Sequence, residues 1–249
     1  MRFAAIADIH GNHAALQAVL EDIAALGIRD IVNLGDCFSG PLEAGHTADL
    51  LLLLDMNAVQ TVRGNHDRYL LETPPEAMGR SDAHAHGQLA PRHFEWLRKL
   101  PTSMVWREDV FLCHATPSKD DVYWLDKVSG EGNVVLRPQA EIESFAEGVE
   151  QSLILCAHSH LPRVVSLSDG RMIVNPGSVG CPAYHDDEPV PHDVETGHPL
   201  ASYVVLEKAE RGWTPQFRTV AYDHMAVSRL AADNGRADWA AAIATGRMG

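Results

Sequence analysis

Short groups of Asp, Asn and His recur along the chain: Asp8-Ile9-His10-Gly11-Asn12, Gly35-Asp36, Gly64-Asn65-His66-Asp67, His114, and His158-Ser159-His160. Imidazole nitrogens mixed with carboxylate and amide oxygens suit Mn, Fe, Co or Zn ions. In each Asp-x-His or His-x-His pair, the i, i+2 spacing of extended chain aims both side chains to one side. The neighbouring glycines let the backbone come close to a metal or a phosphate. Asp8, His10, Asp36, Asn65, His114, His158 and His160 make seven candidate ligands. Seven exceed what one ion takes from side chains. They suit two divalent or transition-metal ions that share one carboxylate, roughly 3.5–4 Å apart, with water completing the shells.

Such a set needs elements that bring distant segments to one place. Arg2 to Ala7, Asp30 to Leu34 and Ala58 to Val62 are short apolar runs that read as buried strands. Between them, Leu16, Val19, Leu20, Ile23 and Leu26 follow helical spacing, and Leu50 to Leu54 reads as a helix segment. This βαβαβ order predicts an α/β fold. Each polar group follows the end of an apolar run, the edge of an open sheet where ligands collect. His114 follows Val110 to Cys113, and His158 follows Leu153 to Cys156.

The remaining segments are less regular. Tyr69 to Gly79, with Pro74-Pro75, reads as loop, and residues 68–100 read as a surface excursion holding one short helix, Pro91 to Leu100. Thr102 to Cys113 suggests a hairpin around Glu108-Asp109, and Ala140 to Glu150 a helix. Strand-like runs follow at 163–167, 171–174, 202–207 and 216–220. Cys181 to Pro199 is rich in Pro, His and acids and lacks periodicity, so residues 181–199 read as a solvated loop, with a lid over the site as its functional alternative. The Ala-rich tail from Met225 begins as a helix. With no internal repeat or linker, residues 1–249 read as one domain.

Composition bounds the function. The chain has 249 residues, 45% of them hydrophobic and 22% charged, with a formal net charge of −14. An acidic chain is a poor partner for nucleic acids and anionic membranes, whose affinity comes from Lys and Arg at phosphates. It can still act on phosphate esters where bound cations reverse the sign locally. No apolar run approaches the ~20 residues of a membrane span. The four cysteines, at 37, 113, 156 and 181, form no CxxC pair, so the expected location is the reducing cytoplasm. Buried packing is their expected role, and redox sensitivity near the metals the alternative.

The ordered set Asp8-x-His10, Gly35-Asp36, Gly64-Asn65-His66-Asp67, His114, His158-x-His160 resembles the calcineurin-like metallophosphoesterase superfamily. Asp8 to Asn12 and Asn175-Pro176-Gly177-Ser178-Val179-Gly180 resemble its small bacterial branch of phosphodiesterases and asymmetrical diadenosine-tetraphosphatase-like enzymes. The resemblance implies a four-layer α/β/β/α sandwich with a dinuclear centre. Asp8, His10, Asp36 and His160 would hold one ion. Asp36, Asn65, His114 and His158 would hold the other, with Asp36 bridging. His66 would face the scissile phosphate, oriented by Asp67. Asn65 and Asn12 are the implied substrate contacts.

The chain departs from that family at two places. Ala157 stands where Gly is usual, and Cys181-Pro182-Ala183-Tyr184 stands where relatives carry an Arg. The implied reaction is hydrolysis of a phosphodiester, possibly dinucleotide-like in form, by a hydroxide held between two ions, with His66 serving the leaving group. The expected partner is a small-molecule phosphate ester. A phosphomonoesterase or protein phosphatase uses the same core, and a non-catalytic scaffold on the same fold is the alternative of another class.

Overall fold

The computed structural model describes residues 1–55 and 59–249, with Asp55 described by its backbone only. Ala58, the expected start of the third strand, lies outside the described residues. The first part of the chain runs β1 (Arg2–Ile6), α1 (His13–Ala25), β2 (Ile31–Asn33), α2 (Ala44–Asp55) and β3 (Val59–Thr61). Helices α3 (Asn65–Glu72), α4 (Arg80–His86) and α5 (Pro91–Lys99) follow, with a single 3₁₀ turn at Pro75–Ala77. Next come β4 (Ser103–Trp106), β5 (Val110–Cys113), β6 (Asp126–Val128), β7 (Val134–Leu136), α6 (Gln139–Phe145), β8 (Leu153–Leu155), β9 (Arg163–Ser166) and β10 (Met172–Asn175). The chain closes with β11 (Ala183–Asp186), β12 (His192–Glu195), β13 (Ala201–Ala209), β14 (Gly212–Val220), α7 (His224–Asp233) and α8 (Ala237–Thr245).

Two five-stranded sheets form, in the orders β14-β13-β1-β2-β3 and β4-β5-β8-β10-β9. β1 pairs in parallel with β2, and β2 with β3. β5 and β10 flank β8 in parallel. All five metal-site segments therefore leave the sheets at the carboxyl ends of parallel strands.

The central strands β1, β2, β8 and β10 are buried on both faces, which explains their continuous apolar runs. Phe3, Ala5, Val32 and Leu34 of the first sheet meet Leu112, Leu153, Leu155 and Val174 of the second. The opposite face of the first sheet, with Ala4, Ile6 and Val205, packs on Leu16, Val19 and Leu51 of α1 and α2. The outer face of the second, with Ile154 and Ile173, packs on Ile142 and Ala146 at α6. Four layers result, α/β/β/α.

Two sequence-based expectations are corrected here. Residues 68–100 form no surface excursion: they carry most of α3, then α4 and α5, and bury Leu70, Ala85, Trp96 and Leu97 in the first core. Pro74 and Pro75 interrupt only the link, because proline is acceptable at the first position of a turn. Residues 181–199 form no irregular loop either. β11 and β12 pair antiparallel, Tyr184 against Val194, with His192 and Val194 buried. The alternating pattern is short, and polar side chains conceal it. The tail makes a helical hairpin around Val227, Ala231 and Ile243. No helix among the described residues is long and apolar enough to cross a membrane.

Candidate metal centre

Five of the seven candidate ligands hold left-handed backbone: φ is +52° at Asp8, +51° at His10, +54° at Asp36, +71° at His158 and +56° at His160. Such residues cost on the order of 1–3 kcal/mol each and persist where their surroundings dictate them. The surroundings here are hydrogen bonds between loops. The His10 N–H donates to the Asp36 carbonyl, and the Gly180 N–H to the Asp8 carbonyl, both at 3.0 Å. Ser178 Oγ donates to the same Asp8 carbonyl at 2.8 Å. Asn175 Nδ2 donates to the Ala157 carbonyl at 3.0 Å. Ser159, between the two histidines, donates to the buried Asp126, which also accepts from Arg163. Ala157 in place of glycine is accommodated in the core between the sheets.

The side chains converge as two triads. Single ligand atoms of Asp8, His10 and His160 lie within 4.8 Å of one another, and so do those of Asp36, His114 and His158. Asp36 stands between them: Oδ2 is 3.2 Å from His114 Nε2 and 3.9 Å from His10 Nε2. Three of the rings are set by backbone carbonyls. Nδ1 of His10 faces the Ser39 oxygen at 2.7 Å, that of His114 the Leu34 oxygen at 2.7 Å, and that of His160 the Cys181 oxygen at 2.8 Å. Donation there leaves each Nε2 turned to the site, the usual support behind a metal-binding imidazole.

This donor set fits cations on the chain's own geometry. Both carboxylate oxygens of Asp8 are buried without a hydrogen-bond partner among the described residues. Burial pushes the Asp8 carboxyl up to about 8, with the charge of Asp36 adding to it against His114. Nε2 of His10 and Nε2 of His160 face each other at 3.2 Å. One atom of the Asn65 side-chain amide lies 3.0 Å from His114 Nε2. With Nδ2 in that place the amide donates to Asp36 Oδ2 at 3.3 Å and His158 Nδ1 at 3.2 Å; a bound cation would take Oδ1 there instead. The unpaired Asp8 carboxylate and the facing His10 and His160 nitrogens are costly in a buried place unless a cation lies among them. Gly64 permits the crowding, since a Cβ there would stand 2.2 Å from Asp36 Oδ1.

Two expected roles are corrected. Among the described residues the Asp67 carboxylate makes no hydrogen bond to the His66 ring. At the third position of α3 its carboxylate turns back and accepts the N–H groups of Asp36, Cys37 and Gly64, at 2.9, 3.0 and 3.0 Å. It ties the Asp36 turn to the start of α3. His66 Nδ1 instead meets Asp82 Oδ1 of α4 at 2.9 Å. Burial opposes the charge on His66, but the Asp82 hydrogen bond and the Asp36 carboxylate outweigh it, raising its pKa to about 9. Asn12 does not face the site. Its Oδ1 caps α1 at the Ala15 N–H, and its Nδ2 donates to Gly180 and Tyr222.

All four cysteines are free and buried, and burial raises every thiol pKa. They pack; they are not thiolates.

A cleft of about 740 Å³ opens on the site. Its floor carries His10, Asp36, Asn65, His158 and His160. Tyr69 and Ser81 form one wall, Tyr184, Asp186 and Glu188 another, and Arg236, Trp239 and Ala242 of the tail a third. A second cavity of about 390 Å³ lies beside His114, lined by Arg68, Thr116, Lys119 and Asp120. Neither Asp82 nor Trp239 carried a signal in the sequence: a lone acid and a lone aromatic on separate short helices look like surface and core.

Residues 1–197 match the model of the calcineurin-like phosphoesterase superfamily domain. The chain is 28% identical over 193 residues to an uncharacterized protein, MJ0912, of Methanocaldococcus jannaschii, covering 72% of this chain and 76% of that one. A metallophosphoesterase from Sphaerobacter thermophilus has a similar structure, with 25% identity, a TM-score of 0.75 and 99% of each chain covered. A hypothetical protein, PH1004, from Pyrococcus horikoshii shares the fold at 19% identity and a TM-score of 0.78, covering 100% of this chain and 99% of that one.

Proposed function

This chain belongs to the calcineurin-like phosphoesterase superfamily, and on that premise we propose that it is a dinuclear metal-dependent hydrolase of phosphodiester bonds in small molecules. The observation that carries the reading is the pair of triads meeting at Asp36, with His66 beside them.

Asp8, His10, His160 and Asp36 would hold one ion, and Asp36, Asn65, His114 and His158 the other. When bound, the ions supply Lewis-acid charge and make a water acidic enough to act as nucleophile near neutral pH. They also reverse the sign of an acidic chain at the point where phosphate must sit. Asn65 keeps the contact with a non-bridging oxygen implied by the resemblance.

The Asp36 carboxylate accepts the His66 N–H at 2.9 Å, so the candidate proton donor is fixed relative to the ligand shared by both triads. With Nδ1 held by Asp82, His66 presents Nε2, which has no hydrogen-bond partner among the described residues. A proton there would pass to the leaving oxygen. Asp82 would hold the ring's orientation and support its positive charge. The two cavities flanking the centre support a diester, whose phosphorus carries two arms.

Hydrolysis of bis-p-nitrophenyl phosphate and p-nitrophenyl phosphate, measured side by side with Mn²⁺ and with chelator, tests the reading. Chelator-sensitive activity that favours the diester is the expected result. Preference for the monoester overturns the diester assignment. Inactivity on both with metal bound overturns the enzymatic one.

A further inference from the structure

Three aromatic rings pack edgewise on histidines of the site. Tyr184 lies 4.6 Å from His160, Tyr69 5.4 Å from His66, and Trp239 5.9 Å from His10, centroid to centroid. The Tyr184 hydroxyl is committed to Tyr123 and to the His158 carbonyl. Trp239 is different. It is half-buried on α8, and its indole N–H has no hydrogen-bond partner among the described residues.

The charges of the same cleft are one-sided. Asp121, Asp186, Glu188 and Asp238 line it, against a single arginine, Arg236, and no lysine. Arg236 is already bound, to Asp238 and to Ser81 Oγ, and its guanidinium lies over one side of the Trp239 ring, 5.8 Å from the centroid. His185 at the rim is held by Asp193 and Asp187. Beyond the metals, then, the cleft offers aromatic surface and negative charge. A polyphosphate arm meets repulsion there; a flat uncharged ring meets the part of the Trp239 indole that lines the cleft, clear of Arg236.

We propose that this cleft is a subsite for the nucleoside arm of the phosphodiester, with its base stacked on Trp239. The proposal rests on the phosphodiesterase reading for the position of the phosphorus, but concerns binding beyond it. Base–aromatic stacking accounts for preferences of about tenfold.

Calorimetry on the Mn²⁺-loaded full chain tests it first, comparing a nucleoside 5′-monophosphate with methyl phosphate. The wild type should bind the nucleotide at least about tenfold more tightly. W239A should bring the two toward parity, and W239F should keep part of the difference. Equal affinities in the wild type overturn the proposal, whether or not W239A folds. So does a nucleotide preference that W239A leaves intact.

Turnover of a nucleoside 5′-p-nitrophenyl phosphodiester against ethyl p-nitrophenyl phosphate then separates the two readings. The leaving group is shared, so the preference should appear in KM and vanish in W239A. No hydrolysis of either, with the binding preference present, sinks the phosphodiesterase reading and sustains the subsite. Hydrolysis of both at equal kcat/KM sinks the subsite alone.

Discussion

His66 Nδ1 lies 2.9 Å from Asp82 Oδ1, a carboxylate 16 residues further along the chain and on the next helix. The pair joins α3, which leaves the first sheet at the metal site, to α4, which packs beside it. Asp82 is buried, so its charge on the ring is weakly screened. It acts through His66 and is a positioning residue. D82N removes the charge but keeps an acceptor; D82A removes both. For diesters with poor leaving groups, the expected losses in kcat are about tenfold and about a hundredfold, and larger still for H66A. With p-nitrophenolate leaving, which needs little proton transfer, the losses shrink. A leaving-group series measures this. Equal losses across the series in D82N would reduce Asp82 to a structural role.

Asp67 supports a different outcome. Its carboxylate binds three backbone N–H groups around the Asp36 turn and is fully buried. Hydrogen bonds to a charged acceptor contribute about 1.5–3 kcal/mol each, and buried donors left unpaired are costly. D67A should lose about 3 kcal/mol or more of stability by urea unfolding and hold metal more weakly. The activity that remains should keep the wild-type leaving-group dependence. A steeper dependence would restore the direct role on His66.

Metal should also stabilise the fold. The orphaned oxygens of Asp8 and the facing nitrogens of His10 and His160 repel or stay unsatisfied without cations. Mn²⁺ at about a hundred times its Kd should raise stability by about 2.7 kcal/mol per site, read as a rise in Tm that chelator reverses. D8A should lose most of that rise and the bound metal measured by elemental analysis. An unchanged metal content in D8A would remove Asp8 from the ligand set.

Away from the site, Asp22 of α1 binds Arg218 of β14 through two hydrogen bonds and accepts from Tyr203. The Arg218 hydrogen bond holds the Asp22 carboxyl below its ordinary value of 3.8, against a smaller effect of burial. A carboxylate depressed in the folded state stabilises it fully above the unfolded pKa. That stability is lost as the pH falls through the folded pKa. D22N should cost about 1 kcal/mol at neutral pH, since the pair is partly exposed. The gap to wild type should stay flat down to about pH 5 and close below about pH 4. A gap that persisted at pH 2 would mean that packing, not charge, dominates.

Much of the site was legible because it rests on strand ends. Apolar runs such as Arg2–Ile6 and Leu153–Leu155 are buried on both faces and mark themselves by composition alone. Asp8, His10, Asp36, Asn65, His114, His158 and His160 follow such runs, and the structure brings them together. Asp67 and Asn12 were visible as residues but not as roles. A carboxylate at a helix start can turn outward to a neighbour or back to the N–H groups, and the local sequence is the same for both. Helices α3 and α4 were hidden by Pro74 and Pro75, and the β11–β12 hairpin by its many acids and histidines.

The sequence by itself determined the donor types, their order along the chain and the parallel strands that carry them to one sheet edge. Spacing within a strand and its turn is local, and local geometry is written in residues two or three apart. The tertiary structure alone decided what surrounds those donors: Asp82 as the carboxylate behind His66, Tyr184 against His160, and Trp239 brought 229 residues along the chain to the ring of His10 (239 − 10 = 229). Each of those contacts depends on how separate helices pack onto a common core. Packing is a sum over many weak, non-directional contacts, and no short motif encodes it.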